Sequence, residues 1–122
     1  MKTETGAPAR KTRSKVRSAW QAVATTADIP VGTQKVVEAG EQSLVVCNVA
    51  GVYYALANVC SHDGGPLGEG LFYDHEIQCP RHGARFDVCT GKVLSFPAVV
   101  DVPAYPVKVE GESILVQITP EA

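Results

Sequence analysis

Short stretches in which apolar and polar residues alternate make up most of the chain from residue 18 onward. A period of two is typical of β-strands that bury one face. The alternation predicts strands at residues 20–24, 33–39, 43–49, 52–57, 75–78, 99–102, 105–109 and 113–118. No stretch has the period of a long amphipathic helix, so we expect an all-β fold, an antiparallel β sandwich or open barrel.

Length and composition restrict the class of protein further. The chain has 122 residues, of which 45% are hydrophobic. This predicts one domain with a small core. No apolar run approaches the length of about eighteen residues that spans a membrane, and no secretory signal follows the start. We therefore expect a cytoplasmic protein without a membrane partner.

The charge is distributed unevenly along the chain. Residues 1–17 contain six basic residues and one acidic residue, a net charge of +5, and almost nothing apolar. This composition predicts a disordered, solvated tail in front of the domain at residues 18–122. The domain has five basic and twelve acidic residues, a net charge of −7. An organellar presequence and a contact for an acidic partner are alternatives for the tail. Nucleic acid is a further alternative, but we do not expect it as a partner.

Two short motifs in the middle of the chain each supply one cysteine and one histidine. They read Cys60-Ser61-His62 and Cys79-Pro80-Arg81-His82. Both lie among glycines and prolines that favour tight turns. Two turns that meet at their tips would bring two sulfur atoms and two nitrogen atoms to one place. The motifs therefore predict a metal site with Cys60, His62, Cys79 and His82 as the ligands.

The order of the ligands bears on the identity of the metal. Zinc fingers pair cysteine with cysteine and histidine with histidine along the chain, whereas each motif here mixes the two. Two cysteines and two histidines are the ligand set of a Rieske [2Fe–2S] centre. A tetrahedral zinc ion bound by the same four side chains is the alternative.

The residues around the two motifs resemble the Rieske ferredoxins from about Trp20 to Ile118. Residues 60–67, CSHDGGPL, resemble the first cluster loop, and residues 79–87, CPRHGARFD, resemble the second. Residues 96–98, FPA, resemble the proline-bearing segment that covers the cluster. The resemblance implies a Rieske-like β sandwich with a small cluster-binding subdomain, at about residues 58–98, inserted between its strands.

The resemblance also implies a function. A Rieske ferredoxin of this type is a soluble, low-potential carrier of single electrons from a flavin-dependent NAD(P)H reductase to a terminal non-haem iron oxygenase. We do not expect an enzyme, because a catalytic iron is usually held by two histidines and a carboxylate. Only His75 remains after His62 and His82 are assigned to the cluster. The small Rieske-like subunit of a nitrite reductase is the alternative, although that family often lacks the ligands present here.

In the resembling family, the two imidazoles lie at the tip of the domain near solvent. The resemblance therefore implies transient docking of both partners at the His62/His82 tip. We expect an apolar collar around this tip, made of Pro66, Leu67, Phe96 and Pro97.

High-potential Rieske proteins resemble this chain but carry Ser where Ala84 stands and Tyr where Phe86 stands. Those hydroxyls donate to cluster sulfurs and raise the potential, and an additional disulfide joins the two loops. The chain has none of these features. We therefore expect a midpoint potential near the low end of the Rieske range, about −150 mV.

Several chemically active residues lie outside the two motifs. We expect Cys47 and Cys89 to be reduced thiols in the core or a turn, with a disulfide between them as the alternative. We expect Trp20 to serve core or edge packing, and His75, outside both loops, to have a solvated or strand-face role.

Overall fold

The computed structural model describes residues 19–61 and 64–118. It contains ten strands: β1 Ala19–Thr25, β2 Gln34–Ala39, β3 Gln42–Val49, β4 Val52–Ala57, β5 Leu71–Tyr73, β6 Glu76–Gln78, β7 Arg85–Asp87, β8 Ala104–Tyr105, β9 Val107–Glu110 and β10 Ser113–Ile118. One turn of 3-10 helix, Thr26–Asp28, lies between β1 and β2. The predicted tail at residues 1–17 lies outside the described residues.

The strands form three antiparallel sheets, which confirms the predicted all-β fold. The sheets have the orders β1-β10-β9, β2-β3-β4-β8 and β5-β6-β7. The third sheet comes from residues 71–87, between the strands of the second sheet, where the sequence predicts the inserted subdomain. No helix among the described residues is long and apolar enough to cross a membrane.

The predicted strand at residues 99–102 is wrong. Backbone and side-chain groups of this segment bond to a neighbouring turn and not to a strand. The N–H of Val102 donates to the carbonyl of Gly91 over 2.8 Å, and Asp101 Oδ1 accepts from the N–H of Val93 over 2.9 Å. The apolar residues of this segment belong to a loop. The pattern of apolar and polar residues alone cannot distinguish such a loop from a strand.

Strand β3 is buried on both faces, and each face belongs to a different core. Leu44 and Val46 pack in a core that includes Ile114 of β10 and lies between the first two sheets. Val45 and Cys47 point to the opposite side, as the alternation of a strand requires. They pack in a second core with the inserted sheet and with both predicted ligand cysteines.

Two side-chain amides attach the segment before β5 to the second sheet. Gln34 Nε2 on β2 donates to the carbonyls of Gly68 and Gly70 over 3.1 and 2.8 Å. Asn58 Oδ1 accepts from the N–H of Gly68 over 2.6 Å, while its Nδ2 donates to Ser43 Oγ over 3.1 Å. The chain that follows the first cysteine motif is therefore fixed to the larger sheet.

Gly91 allows a close backbone approach that closes the loop at residues 93–102. It adopts φ +83°, and a Cβ built on it would lie 2.0 Å from the carbonyl oxygen of Val102. Gly91→Ala adds a steric clash with Val102 to the cost of the positive φ, which is on the order of 1 kcal/mol. We therefore expect this variant to lose more melting temperature than a variant that suffers the φ strain alone. Thermal unfolding followed by circular dichroism measures this.

The matched control for this prediction is Gly111→Ala. Gly111 also has a positive φ, +63°, but a Cβ there meets nothing within 4 Å. Equal losses of melting temperature in the two variants would contradict the role assigned to the approach between Gly91 and Val102.

Candidate metal centre

The first cluster loop, residues 60–67, is closed by two backbone hydrogen bonds at its cysteine. The N–H of Cys60 donates to the carbonyl of Gly65 over 2.8 Å. The N–H of Gly64 donates to the carbonyl of Cys60 over 2.7 Å. Gly64 has φ +76°, a conformation that a residue with a Cβ rarely adopts.

The second cluster loop, residues 79–87, repeats this pattern at the same spacing. The N–H of Cys79 donates to the carbonyl of Ala84 over 2.7 Å, and the N–H of Gly83 donates to the carbonyl of Cys79 over 3.0 Å. Gly83 has φ +82°. In each loop the cysteine bonds to the residues four and five positions later, and the fourth is a glycine. The two loops are therefore closed at their cysteines by the same pair of backbone hydrogen bonds.

The two predicted thiolate ligands lie in the interior of the protein. Cys60 and Cys79 are each only 1% exposed and belong to the same core. Within the second loop, His82 is exposed. Thiol and imidazole of this loop therefore occupy opposite environments, one apolar and one solvated. His62 lies outside the described residues.

Two strands fix the position of the second cluster loop, β6 before it and β7 at its end. Cys79 directly follows β6, and Arg85 begins β7. Ile77 and Phe86, which are cross-strand partners in these two strands, are fully buried. The Arg85 guanidinium also forms an ion pair with Glu76 on the outer face of the sheet.

A covering loop, residues 93–102, contacts both cluster loops. The N–H of Leu94 donates to the carbonyl of Arg85 over 2.8 Å, and Ser95 Oγ accepts from the N–H of Arg85 over 3.2 Å. The hydroxyl of Ser61 donates to the carbonyl of Val100. This contact of Ser61 has no counterpart in the predictions, because a separation of 39 residues gives no local sequence signal.

The predicted apolar collar is only partly at the surface. Phe96 is 81% exposed, Pro66 is exposed and Pro97 is half-buried. Leu67 is fully buried, and its assignment to the collar is wrong. Its side chain packs in the core beneath the first cluster loop, because removal of its apolar surface from water stabilises the fold. Val99 and Val100 are exposed instead.

Cys47 and Cys89 are free thiols. This confirms the predicted reduced state and is contrary to the alternative, a disulfide between them. Burial raises the pKa of Cys47 to about 12, with a smaller effect from the nearby Cys89. Burial also raises the pKa of Cys89, although a hydrogen bond from the Tyr54 hydroxyl opposes this shift. The raised pKa values keep both residues in the thiol form at neutral pH.

Two other predicted residues lie outside the cluster loops. His75 is half-exposed in the turn between β5 and β6, 3.8 Å from Asp74 and 3.7 Å from Asp87. Trp20 is on β1, at the edge of the first sheet, with Lys108 Nζ 4.4 Å from its ring centroid. This cation–π contact is a packing role, as expected for Trp20.

The donor set fits a [2Fe–2S] cluster. Within residues 19–61 and 64–118, no three Cys, His, Asp or Glu side chains are placed to hold a single metal ion. A Rieske cluster does not require such a group, because one iron takes two thiolates and the other takes two imidazoles. Two buried thiols in loops closed by the same hydrogen bonds, with one imidazole facing solvent, match this division.

The Rieske [2Fe–2S] domain family matches residues 19–106 of the chain. The ferredoxin component of the naphthalene 1,2-dioxygenase/salicylate 5-hydroxylase systems of Ralstonia sp. is 36% identical over 99 residues, which cover 81% of this chain and 95% of that protein. The ferredoxin component of biphenyl 2,3-dioxygenase of Rhodococcus jostii (strain RHA1) is 35% identical over 79% of this chain and 90% of that protein.

Solved structures agree with these relatives. The ferredoxin of carbazole 1,9a-dioxygenase from Nocardioides aromaticivorans IC177 has a TM-score of 0.78 and 36% identity, over 84% of this chain and 98% of that chain. A chain from the complex of reduced oxygenase and oxidized ferredoxin in carbazole 1,9a-dioxygenase has a TM-score of 0.76 and 34% identity, over 80% of this chain and 91% of that chain. These matches favour the [2Fe–2S] cluster over the zinc alternative. The chain therefore belongs to the Rieske [2Fe–2S] domain family, as an electron-carrying ferredoxin with a [2Fe–2S] cluster as its cofactor.

Proposed function

We propose that Cys60, His62, Cys79 and His82 hold the cluster. The observation that supports this most strongly is the repeated loop closure, which gives both cysteines the same backbone geometry and the same burial. The relatives named above support a role for the chain as the ferredoxin of an oxygenase system. We propose that it acts in the cytoplasm. It receives single electrons from a flavin-dependent NAD(P)H reductase and passes them to a terminal non-haem iron oxygenase.

The division between buried thiols and an exposed imidazole gives electron transfer a direction. When bound, the cluster supplies one-electron redox chemistry. The thiolates of Cys60 and Cys79 would place negative charge on one iron, whereas the neutral imidazoles of His62 and His82 would place none on the other, so the added electron would be favoured at the histidine end. The buried Cys60 and Cys79 keep water from the opposite end. The exposed His82 makes the histidine end the exit toward a partner.

The covering loop, which bonds to both cluster loops, carries exposed apolar residues that suit a docking surface. Phe96, Val99 and Val100 on the covering loop, together with Pro66, form what we define as the docking face. A small apolar face favours brief encounters over a permanent complex. The same face would then receive the reductase and the oxygenase in turn, which a shuttle requires.

The ligand assignment predicts different effects for two pairs of cysteines. We expect Cys60→Ala or Cys79→Ala to abolish the cluster, because each removes one of two thiolates from the same iron. We expect the double variant Cys47→Ala/Cys89→Ala to retain it. Iron and acid-labile sulfide per chain, with the electron paramagnetic resonance spectrum of the dithionite-reduced protein, measure both outcomes.

Stability must be separated from ligation in this comparison, because Cys47 is fully buried and its truncation leaves a small cavity. Both measurements are therefore made well below the melting temperature of each variant. A folded Cys47→Ala/Cys89→Ala variant without iron would overturn the assignment.

The surroundings of the second cluster loop predict a low potential. Ala84 and Phe86 are fully buried and carry no side-chain donor. Without hydroxyl donors to the sulfurs we expect a midpoint of about −150 mV at neutral pH. Ala84→Ser with Phe86→Tyr should raise it, because a donor stabilises the more negative, reduced state. Protein-film voltammetry measures the shift.

Val88→Thr provides the control for this potential. Val88 is also fully buried, but it follows β7 and lies outside the second cluster loop. Its added hydroxyl should leave the midpoint unchanged. A wild-type midpoint above 0 mV, more than about 150 mV above the low end of the range of roughly −150 to +300 mV, would refute the low-potential assignment.

The docking face predicts a selective loss of electron transfer. Dithionite-reduced protein is mixed in stopped flow with the oxidised oxygenases of the carbazole and naphthalene dioxygenase systems, whose ferredoxins are relatives of this chain. We expect the wild type to reduce at least one of them. Phe96→Glu should slow the transfer about tenfold, because it places a charge in the centre of an apolar contact.

Tyr73→Glu is the matched control. Tyr73 is also 81% exposed, but it lies on β5 rather than on the covering loop. The Tyr73→Glu variant should transfer electrons at the wild-type rate. Tyr73→Glu and Phe96→Glu should both keep the wild-type electron paramagnetic resonance spectrum. Equal rates for Phe96→Glu and the wild type would remove the docking face from the proposal. No transfer from the wild type to any oxygenase would contradict the carrier function itself.

A further inference from the structure

The covering loop forms hydrogen bonds to both cluster loops. Its first limb bonds to the second cluster loop through Leu94 and Ser95, which engage the backbone of Arg85. Its second limb bonds to the first cluster loop through the hydroxyl of Ser61, which donates to the carbonyl of Val100. The loop therefore joins the two halves of the metal centre.

The residues between these two attachments carry the docking face. Phe96 and Val99 are exposed, and only Ala98 reaches the core, with 3% of its surface exposed. Core packing alone therefore gives this stretch a single anchor point. The hydrogen bonds at its two ends determine where the exposed side chains stand.

Ser61 occupies the position between Cys60 and His62, two of the proposed ligands. We infer that Ser61 is a positioning residue for electron transfer, whose hydroxyl holds the docking face at a fixed place relative to the histidine end of the cluster. This inference rests on the proposed carrier function. A partner bound to a face that moves relative to the cluster would lose the defined geometry that fast transfer requires.

The hydroxyl is the only polar group that Ser61 adds to its backbone, so simple substitutions test it. Ser61→Ala removes the donor to Val100, and Ser61→Thr keeps a hydroxyl at the same position. Asp101 offers a second way to loosen the same limb, because its Oδ1 accepts from the N–H of Val93 over 2.9 Å. Asp101→Ala changes neither cluster loop.

The first measurement is amide hydrogen exchange in the cluster-loaded protein, followed by mass spectrometry, at Leu94 and Val102 of the covering loop, whose N–H groups donate to the carbonyls of Arg85 and Gly91. One hydrogen bond of ordinary net strength corresponds to a factor of about 3 to 10 in an opening equilibrium. We expect exchange to become faster by this factor in Ser61→Ala and in Asp101→Ala, and to stay near the wild-type rate in Ser61→Thr. The resonance spectrum and the midpoint potential should not change in any of them.

The second measurement is the dependence of the transfer rate on the concentration of this protein, with the oxygenase that the wild type reduces. The half-saturating concentration should rise in Ser61→Ala, because only the closed loop presents the docking face; the rise follows the lost fraction of closed loop and is at most about 10-fold. Ser61→Thr should restore it. A purely structural defect would lower the melting temperature and the cluster content instead, and Thr would have no specific advantage.

Three results would overturn the inference. The first is an amide exchange rate in Ser61→Ala that equals the wild-type rate. The second is a Ser61→Thr variant whose exchange rate and half-saturating concentration equal those of Ser61→Ala. The third is a shifted potential with unchanged loop exchange, which would assign the hydroxyl to the cluster itself. If Ser61→Ala loses the cluster, the exchange rate of the covering loop is measured in Asp101→Ala instead. A wild-type exchange rate in that variant would also overturn the inference. A wild type that reduces no oxygenase refutes the carrier function, while the exchange rates still test the contact of Ser61.

Discussion

A protein that exchanges electrons through a metal cluster must shield one side of the cluster and expose the other. This constraint is met by two tight turns of identical hydrogen bonding, each closed at its cysteine. Cys60 and Cys79 each begin a closed loop and are buried in the core. His82, three residues after Cys79, lies at the surface. The glycines with positive φ, Gly64 and Gly83, make turns of this size possible without strain.

The second sheet lets a small domain meet this constraint and remain folded. Strand β3 contributes Leu44 and Val46 to the core of the sandwich, and Val45 and Cys47 to the core beneath the cluster loops. Burying both faces of one strand gives the protein two cores from few residues, which matters where the ratio of surface to volume is unfavourable. The cluster subdomain is thereby continuous with the sandwich and not a separate unit.

The sequence predicted local features and missed those that depend on distant contacts. Turn residues and alternation placed most strands within one or two residues, and β4 at its observed bounds, because both signals are local. Residues 99–102 alternate like a strand but are bonded to Gly91 and Val93, which only the folded chain brings near. Leu67 belongs to a motif at the surface but points into the core, since position in a motif does not determine burial. Gln34 and Ser61 gave no signal, because their partners lie more than thirty residues away.

The inserted sheet is the part that depends most on its surroundings. Its three strands have three residues each, and a sheet of this size is marginal in water without a hydrophobic face to pack. The second core supplies that face through Ile77 and Phe86. Side-chain amides hold the chain before β5, and the covering loop joins β7 to the first cluster loop. A cluster bound to both loops would add a further connection between the same segments, since a metal site that the unfolded chain lacks contributes its binding energy to folding. Order in this sheet and occupancy of the metal centre are therefore coupled, and the residues that carry electrons also stabilise the subdomain around them.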